Sequence, residues 1–362
     1  MRTVRRLLYR DIVGSVLFVA LAFLSLFYFI DFVEELDRMS RAGAGAGRAA
    51  LLALLELPGH FYELFPIAVL IGSIYALARM AQSSEFTILR TGGLGPGRAL
   101  MLLATLGLGF AALTFFVGDY AAPWFERQAE LTRAKASGGI APSRAGAWLK
   151  DREGNGEHSY SVHVRQASAN GELRQVRIFE FDASGGLLSR LAATTATVDG
   201  KGLWQLRDVQ RTRWSKDAVQ EDRLRELTWQ STLNSGVVAA AVLPPNTMTT
   251  TELYRYTQHL SAQEQSAQAY QIQFWQRAFK PLACLVMVAL ALPFAYLHAR
   301  GGGISFKVFG GIMLGISFSL LNSLAGHLGL LQDLTPWAVA GAPSLLYLLM
   351  SLAAFGWLVR YR

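Results

Sequence analysis

The sequence predicts an α-helical polytopic membrane protein with six transmembrane helices and one water-soluble antiparallel β domain inserted between the third and the fourth. Three observations predict it. Of 362 residues, 52% are hydrophobic and only 17% are charged, well below the quarter or so of charged residues usual in a soluble domain. Uncharged runs of membrane-crossing length recur toward both ends of the chain, and none occurs between residues 119 and 280. Inside that central block, apolar and polar residues alternate with the period of half-buried strands.

A bilayer core of about 30 Å takes roughly 20 apolar residues in a helix rising about 1.5 Å per residue. Residues 12–30, 99–118, 281–297, 308–332 and 334–359 are uncharged and supply five spans. A sixth, 64–78, is short alone. Extended back through Glu63, His60 and Pro58 to Leu51 it reaches full length, which predicts a bent helix with polar outer turns. The first run is longer than the apolar part of a usual signal peptide and lacks an evident small-residue cleavage site, so it is read as a retained helix.

Basic residues near helix ends stay cytoplasmic. Arg2, Arg5, Arg6 and Arg10 precede span one, Arg79, Arg90 and Arg98 separate spans two and three, Arg300 and Lys307 separate spans four and five, and Arg360 and Arg362 follow span six. Both termini are therefore expected in the cytoplasm and the soluble block on the other side. Arg38, Arg41 and Arg48 after span one oppose this bias, partly offset by Glu34, Glu35 and Asp37. The sole cysteine, Cys284, lies in span four, so no intrachain disulfide can form.

In the soluble block, Tyr160, Val162 and Val164, then Val176 and Ile178, Trp204 and Leu206, and Leu227 and Trp229 alternate with polar residues. Turn signals separate them at Gly154-Asn155-Gly156, Asn170-Gly171, Gly185-Gly186 and Asp199-Gly200. An antiparallel sandwich or roll follows. After Pro244-Pro245, Thr249 to Glu252 fits a capping box opening a helix, and a second polar helical stretch, 263–279, feeds span four. The expected boundaries are 1–122 for the first three helices, 123–245 for the β domain, 246–279 for connecting helices and 280–362 for the last three. No internal repeat links the two halves, so an inverted-repeat transporter is not supported.

Catalytic constellations are missing from the linear sequence. The histidines at 60, 158, 163, 259, 298 and 327 make no metal-ligand spacing, there is no GxSxG, and Gly92 to Arg98 is glycine-rich but lacks the lysine and hydroxyl of a nucleotide-binding loop. No catalytic residue, metal site or cofactor is expected in this chain, and no nucleic-acid partner. The segment from Arg79 to Arg90 predicts a short helix presenting Glu85, either a peg for a partner or a connector capped by Ser83 or Ser84. Asp31, Glu63 and Asp119 are expected as solvated residues at the membrane boundary, since a charge deeper in the bilayer costs at least a few kcal/mol. Arg38, Arg41 and Arg48 face the same leaflet as Arg127, Arg133 and Lys135. Together they either bind phosphates or are neutralised by Glu34, Glu35, Asp37, Glu126 and Glu130.

The segment Ala81-Gln82-Ser83-Ser84-Glu85 resembles the loop between spans two and three of the lipopolysaccharide export permeases, the LptF/LptG family. Further marks agree in order: Ala122-Pro123, Gly146-Ala147-Trp148-Leu149-Lys150-Asp151, Tyr270-Gln271 to Trp275, Pro281-Leu282, and Gly315-Ile316-Ser317-Phe318. They cover nearly the whole chain, and the Gly-x-Trp-x-Lys-Asp pattern favours the LptG branch. The resemblance implies a permease subunit of an ABC transporter that extracts lipopolysaccharide from the outer leaflet of a Gram-negative inner membrane. It implies as partners an LptF-like permease, a dimeric LptB-like ATPase that binds ATP and Mg, an LptC-like single-span protein and an LptA-like periplasmic bridge, besides lipopolysaccharide and membrane lipids. By the same resemblance the β domain is a periplasmic jellyroll whose apolar interior carries acyl chains. Arg79, Gln82, Ser83, Glu85 and Arg90 belong to a coupling helix at about 82–90, and Arg38, Arg41, Phe65, Arg133, Lys135 and Phe318 to the lipopolysaccharide site. A relative carries lysine where this chain has Asp31 and arginine where it has Glu130. The alternative is a membrane-anchored scaffold that recruits periplasmic partners without transport.

Overall fold

The computed structural model describes residues 2–41, 43, 45–136, 147–152, 158–167, 172–215, 218–235, 237–238, 247–262, 267–296 and 303–361. In chain order the helices before the sheet are α1 (Arg2–Arg41), α2 (Ala46–Gln82), α3 (Glu85–Thr91), α4 (Pro96–Phe116), a π-helical turn (Val117–Ala121) and α5 (Ala122–Ala136). Six strands follow: β1 (Ala147–Arg152), β2 (His158–Ala167), β3 (Leu173–Asp182), β4 (Leu187–Val198), β5 (Leu203–Ser215) and β6 (Ala218–Gln230). The chain then forms α6 (Thr250–Ala262), α7 (Gln268–Tyr296), α8 (Ile304–Leu331) and α9 (Pro336–Tyr361). Among the described residues six helical segments are long and apolar enough to cross a membrane, namely α1, α2, the segment running from α4 through the π turn into α5, α7, α8 and α9. The six-span plan with its inserted sheet is thus observed. Two details agree with the expected ones: α2 is a single helix that runs through Pro58 and Pro66, and the described part of the polar stretch before span four, from Gln268, continues into it through Pro281.

The chain divides into two compact units. The helical unit comprises residues 1–34, 56–122 and 271–362. Its core gathers Leu8, Ile12 and Val16 of α1, Phe65, Leu70, Ile74 and Leu77 of α2, Leu103 and Phe110 of α4, and Met287 to Leu292 of α7. Close approach is set by small residues. A Cβ at Gly72 would lie 2.6 Å from the Val16 backbone, so only glycine lets α1 and α2 meet there. The opposite faces are apolar but uncovered: Phe18, Leu21, Phe29 and Val33 on α1 and Phe306, Phe309, Met313, Ile316 and Leu320 on α8 are exposed. Such surface would drive a soluble protein to aggregate and suits a chain surrounded by lipid and other membrane helices.

The second unit comprises residues 35–55 and 123–270. Its strands form one antiparallel sheet in the order β1-β2-β3-β4-β5-β6, each paired to its sequence neighbours. Alternation places Leu149, Val162, Val164, Val176, Ile178, Leu191, Trp204 and Leu206 in the buried set, as period-two patterning demands, and the irregularity at Asp208, φ 51°, shifts the phase so that Val209 joins them. Asp182 closes the β3–β4 turn by accepting the backbone N–H groups of Ser184 and Gly186, and Asp199 closes β4–β5 by accepting those of Lys201 and Leu203. The capping box of α6 forms as expected: Thr249 N–H donates to Glu252 Oε2 at 2.8 Å, and Glu252 N–H donates to Thr249 Oγ1 at 3.2 Å.

Candidate functional site

The loop between the second and third spans is built by a deliberate helix break. Ser84 adopts the left-handed conformation at φ 62°, which ends α2 at Gln82 and re-aims the chain into α3. The Arg79 carbonyl accepts both the backbone N–H of Ser83 at 2.9 Å and its Oγ at 3.2 Å. Arg79 itself is tied to Asp11 of α1, Nη2 to Oδ2 at 2.9 Å. On α3, Phe86 is buried and meets the Tyr296 ring edge-on at 5.3 Å between centroids, while the Arg90 guanidinium lies 5.9 Å from the same ring centre. That single aromatic anchor leaves Gln82, Ser83 and Glu85 exposed. The expected short helix spans Glu85–Thr91, so Gln82 and Ser83 belong to the approach rather than to the helix itself.

One arginine after span one and one after span three, Arg38 and Arg133, converge on one carboxylate. Arg38 Nη1 and Arg133 Nη2 each lie 2.9 Å from Glu35 Oε1, and Arg133 also reaches Glu130 at 3.0 Å. Arg41 pairs separately with Asp37 at 2.6 Å. Arg127 pairs with Glu252 and donates from Nε to the Thr247 carbonyl at 2.8 Å. Arg38, Arg41 and Arg133 thus have acidic partners that the neutralisation reading named, Glu35, Asp37 and Glu130, whereas Arg127 takes Glu252, which that reading did not name. The Lys135 side chain lies outside the described residues. Phe65 and Phe318 are both in the helical core, Phe65 against Phe61 and Phe110 and Phe318 against Tyr347.

The three acidic boundary residues separate. Glu63 is exposed on the surface of the chain. Asp119 is 8% exposed within the π turn, which corrects its reading as a solvated residue. Asp31 accepts or shares a hydrogen bond with His60 Nε2 at 2.7 Å. Sequence spacing did not single out Lys280, whose ammonium lies 4.5 Å from the centre of the Tyr62 ring. Neither did it give Asp151 a task. That buried carboxylate accepts from Ser231 Oγ at 2.6 Å and from the Thr232 N–H at 3.1 Å.

Six membrane-crossing helices, an anchored loop with an outward glutamate and an inserted antiparallel sheet define a polytopic membrane protein of the permease class. Residues 6–358 match the model of the lipopolysaccharide export system permease family LptF/LptG, and the chain belongs to that family. It is similar to the lipopolysaccharide export system permease protein LptG of Haemophilus influenzae, 26% identical over 351 residues that cover 96% of each chain. It is also similar to LptG of Escherichia coli K12, 26% identical over 347 residues covering 95% of each.

Proposed function

We propose that the chain is the LptG-type permease subunit of an ABC transporter that extracts lipopolysaccharide from the outer leaflet of the inner membrane and passes it to a periplasmic bridge. The observation that carries this is the family match at 6–358, coextensive with all six helices and the sheet. In this reading both termini and the α2–α3 loop are cytoplasmic, as the arginines at the helix ends favour, and the sheet is periplasmic. An LptF-like permease completes the membrane cavity. ATP and Mg are bound by a dimeric LptB-like ATPase that receives α3, with Glu85 as the outward contact and Arg79 and Arg90 holding the loop in shape. LptC-like and LptA-like proteins take the lipid from the β domain.

Two features support this division of labour. The loop is fixed from within by Phe86 on Tyr296 and by Arg79 on Asp11, so a push on Glu85 would reach α1 and α7 directly. Arg38 and Arg133 are gathered at one point, and a lipid phosphate offers the same acceptor chemistry as Glu35 with more charge. The experiment is coexpression with the second permease and the ATPase. Glu85→Lys is expected to abolish copurification of the ATPase while the chain remains in the membrane with an unchanged melting temperature. Full retention of the ATPase by Glu85→Lys overturns the coupling assignment.

A further inference from the structure

Asp31, Glu56 and His60 form a cluster in the helical unit that neither the loop nor the arginine rim uses. Glu56 and His60 stand four residues apart on α2 and so share a face. Asp31 comes from α1. One donor atom from each of the three lies within 4.8 Å of the other two, and His60 Nε2 is 2.7 Å from Asp31 Oδ2. The side chains of His60 and Asp31 are only 24% and 13% exposed. Phe27 packs on the imidazole with ring centres 4.8 Å apart, which restrains the ring plane. The histidine–aspartate hydrogen bond joins two of these residues, and Glu56, one helical turn from His60, brings a third donor atom to the same point.

We propose that Asp31, Glu56 and His60 are the ligands of a divalent transition-metal site, best matched to Zn2+, that clasps α1 to α2. The donor set is two carboxylate oxygens and one imidazole nitrogen. The nitrogen sets it apart from an acidic patch, because imidazole favours zinc-like ions whereas Mg2+ and Ca2+ are served by oxygen alone. Ligand atoms at roughly 2.0–2.2 Å from a tetrahedral Zn2+ stand roughly 3.3–3.6 Å apart. The His60–Asp31 pair therefore opens by under about 1 Å and Glu56 closes by at most about 1.5 Å, adjustments that side-chain torsions supply. Three protein ligands leave the fourth position to water or to an anionic oxygen. Linear motifs miss such a site because its third ligand lies on a different helix.

The test uses full-length chain without a polyhistidine tag, purified in detergent, stripped with EDTA and dialysed against ZnCl2. Expected are one retained equivalent of Zn2+, a zinc-dependent rise in melting temperature, and binding at least tenfold weaker in His60→Gln and in Glu56→Gln. A hundredfold excess of Mg2+ is expected not to displace the metal. X-ray absorption at the zinc edge should show one imidazole and otherwise oxygen. Absence of retained zinc in the unsubstituted chain overturns the site, as does undiminished retention in both variants. A shell of several imidazoles or of sulfur does the same, and that spectrum decides the matter even where the variants fail to fold.

Discussion

Glu35 holds Arg38 and Arg133 through a single carboxylate oxygen while its own side chain is 2% exposed. Removing one member of a buried charged group leaves the others without compensation, at a cost of roughly 3–5 kcal/mol when they are fully buried. Here the arginines are 58% and 21% exposed, so water takes over part of the lost interaction and Glu35→Gln should cost only about 1–2 kcal/mol. The same change removes the acceptor that the two guanidiniums share, with Arg133 still held by Glu130, and so makes them more available to anions. Photocrosslinking of lipopolysaccharide beside Arg133 should rise in Glu35→Gln and fall in the double variant Arg38→Glu, Arg133→Glu; crosslinking that ignores all three changes would remove the phosphate role. A second residue gives a pH dependence. Burial holds the His259 imidazole below its usual pKa, against a smaller opposing pull from Asp151. The folded chain then binds fewer protons than the unfolded one, so stability falls as the pH drops below about 6.5 and recovers above it. Melting curves from pH 7.5 to 5.5 should show that loss, and His259→Gln should flatten it. At this scale the sequence was partly legible. The arginines and their acidic neighbours were all visible, but which carboxylate holds which arginine depends on α1 and α5 meeting, a tertiary fact with no linear signal.

Elements were more legible because periodicity is local. Uncharged length marked the spans, alternation marked the strands, and Thr249 with Glu252 marked the start of α6. The expected spans already ran through Pro58, Pro66 and Pro293, and packing is what makes those continuities tolerable. Prolines at 58, 66, 281 and 293 sit inside α2 and α7, where neighbouring helices can compensate the lost hydrogen bonds. The π turn at Val117–Ala121 had no sequence signature, and Asp119 lies buried within it. Asp151 shows how a family mark acquires a physical task. It lies on β1 yet accepts three bonds from Ser231 and Thr232 just beyond β6, tying the first strand to the segment that follows the last. Asp151→Ala strands those donors and should destabilise the β unit by roughly 2–4 kcal/mol, measured as a lower melting temperature and faster proteolysis within residues 147–230. Asp151→Asn keeps acceptor and shape and should lose less. Equal loss in both would assign the effect to charge rather than to hydrogen bonding.

At the scale of the whole molecule, the distribution of apolar surface is the main constraint. In the most apolar stretch of α1 only 11% of residues are buried, and in that of α8 only 22%, against 72% for α2. On α8 the exposed residues Phe306, Phe309, Met313, Ile316 and Leu320 recur every three or four positions, opposite a buried stripe of Gly311, Gly315 and Phe318. Gly311 and Gly315 admit Ile74 and Ile67 of α2, so α8 is fastened on one face and open on the other. Lipid alone is enough to solvate an open face, but the proposed second permease requires part of it for protein contact. Single cysteines distinguish the two, since the only native thiol, Cys284, is buried and will not compete. Phe309→Cys and Ile316→Cys are expected to crosslink to cysteines placed on the membrane helices of the coexpressed second permease, and Phe318→Cys is expected not to. Uniform labelling of Phe309→Cys and Ile316→Cys by a lipid-soluble maleimide, with no crosslink to the second permease, would assign this face of α8 to lipid and move the pairing surface to another helix.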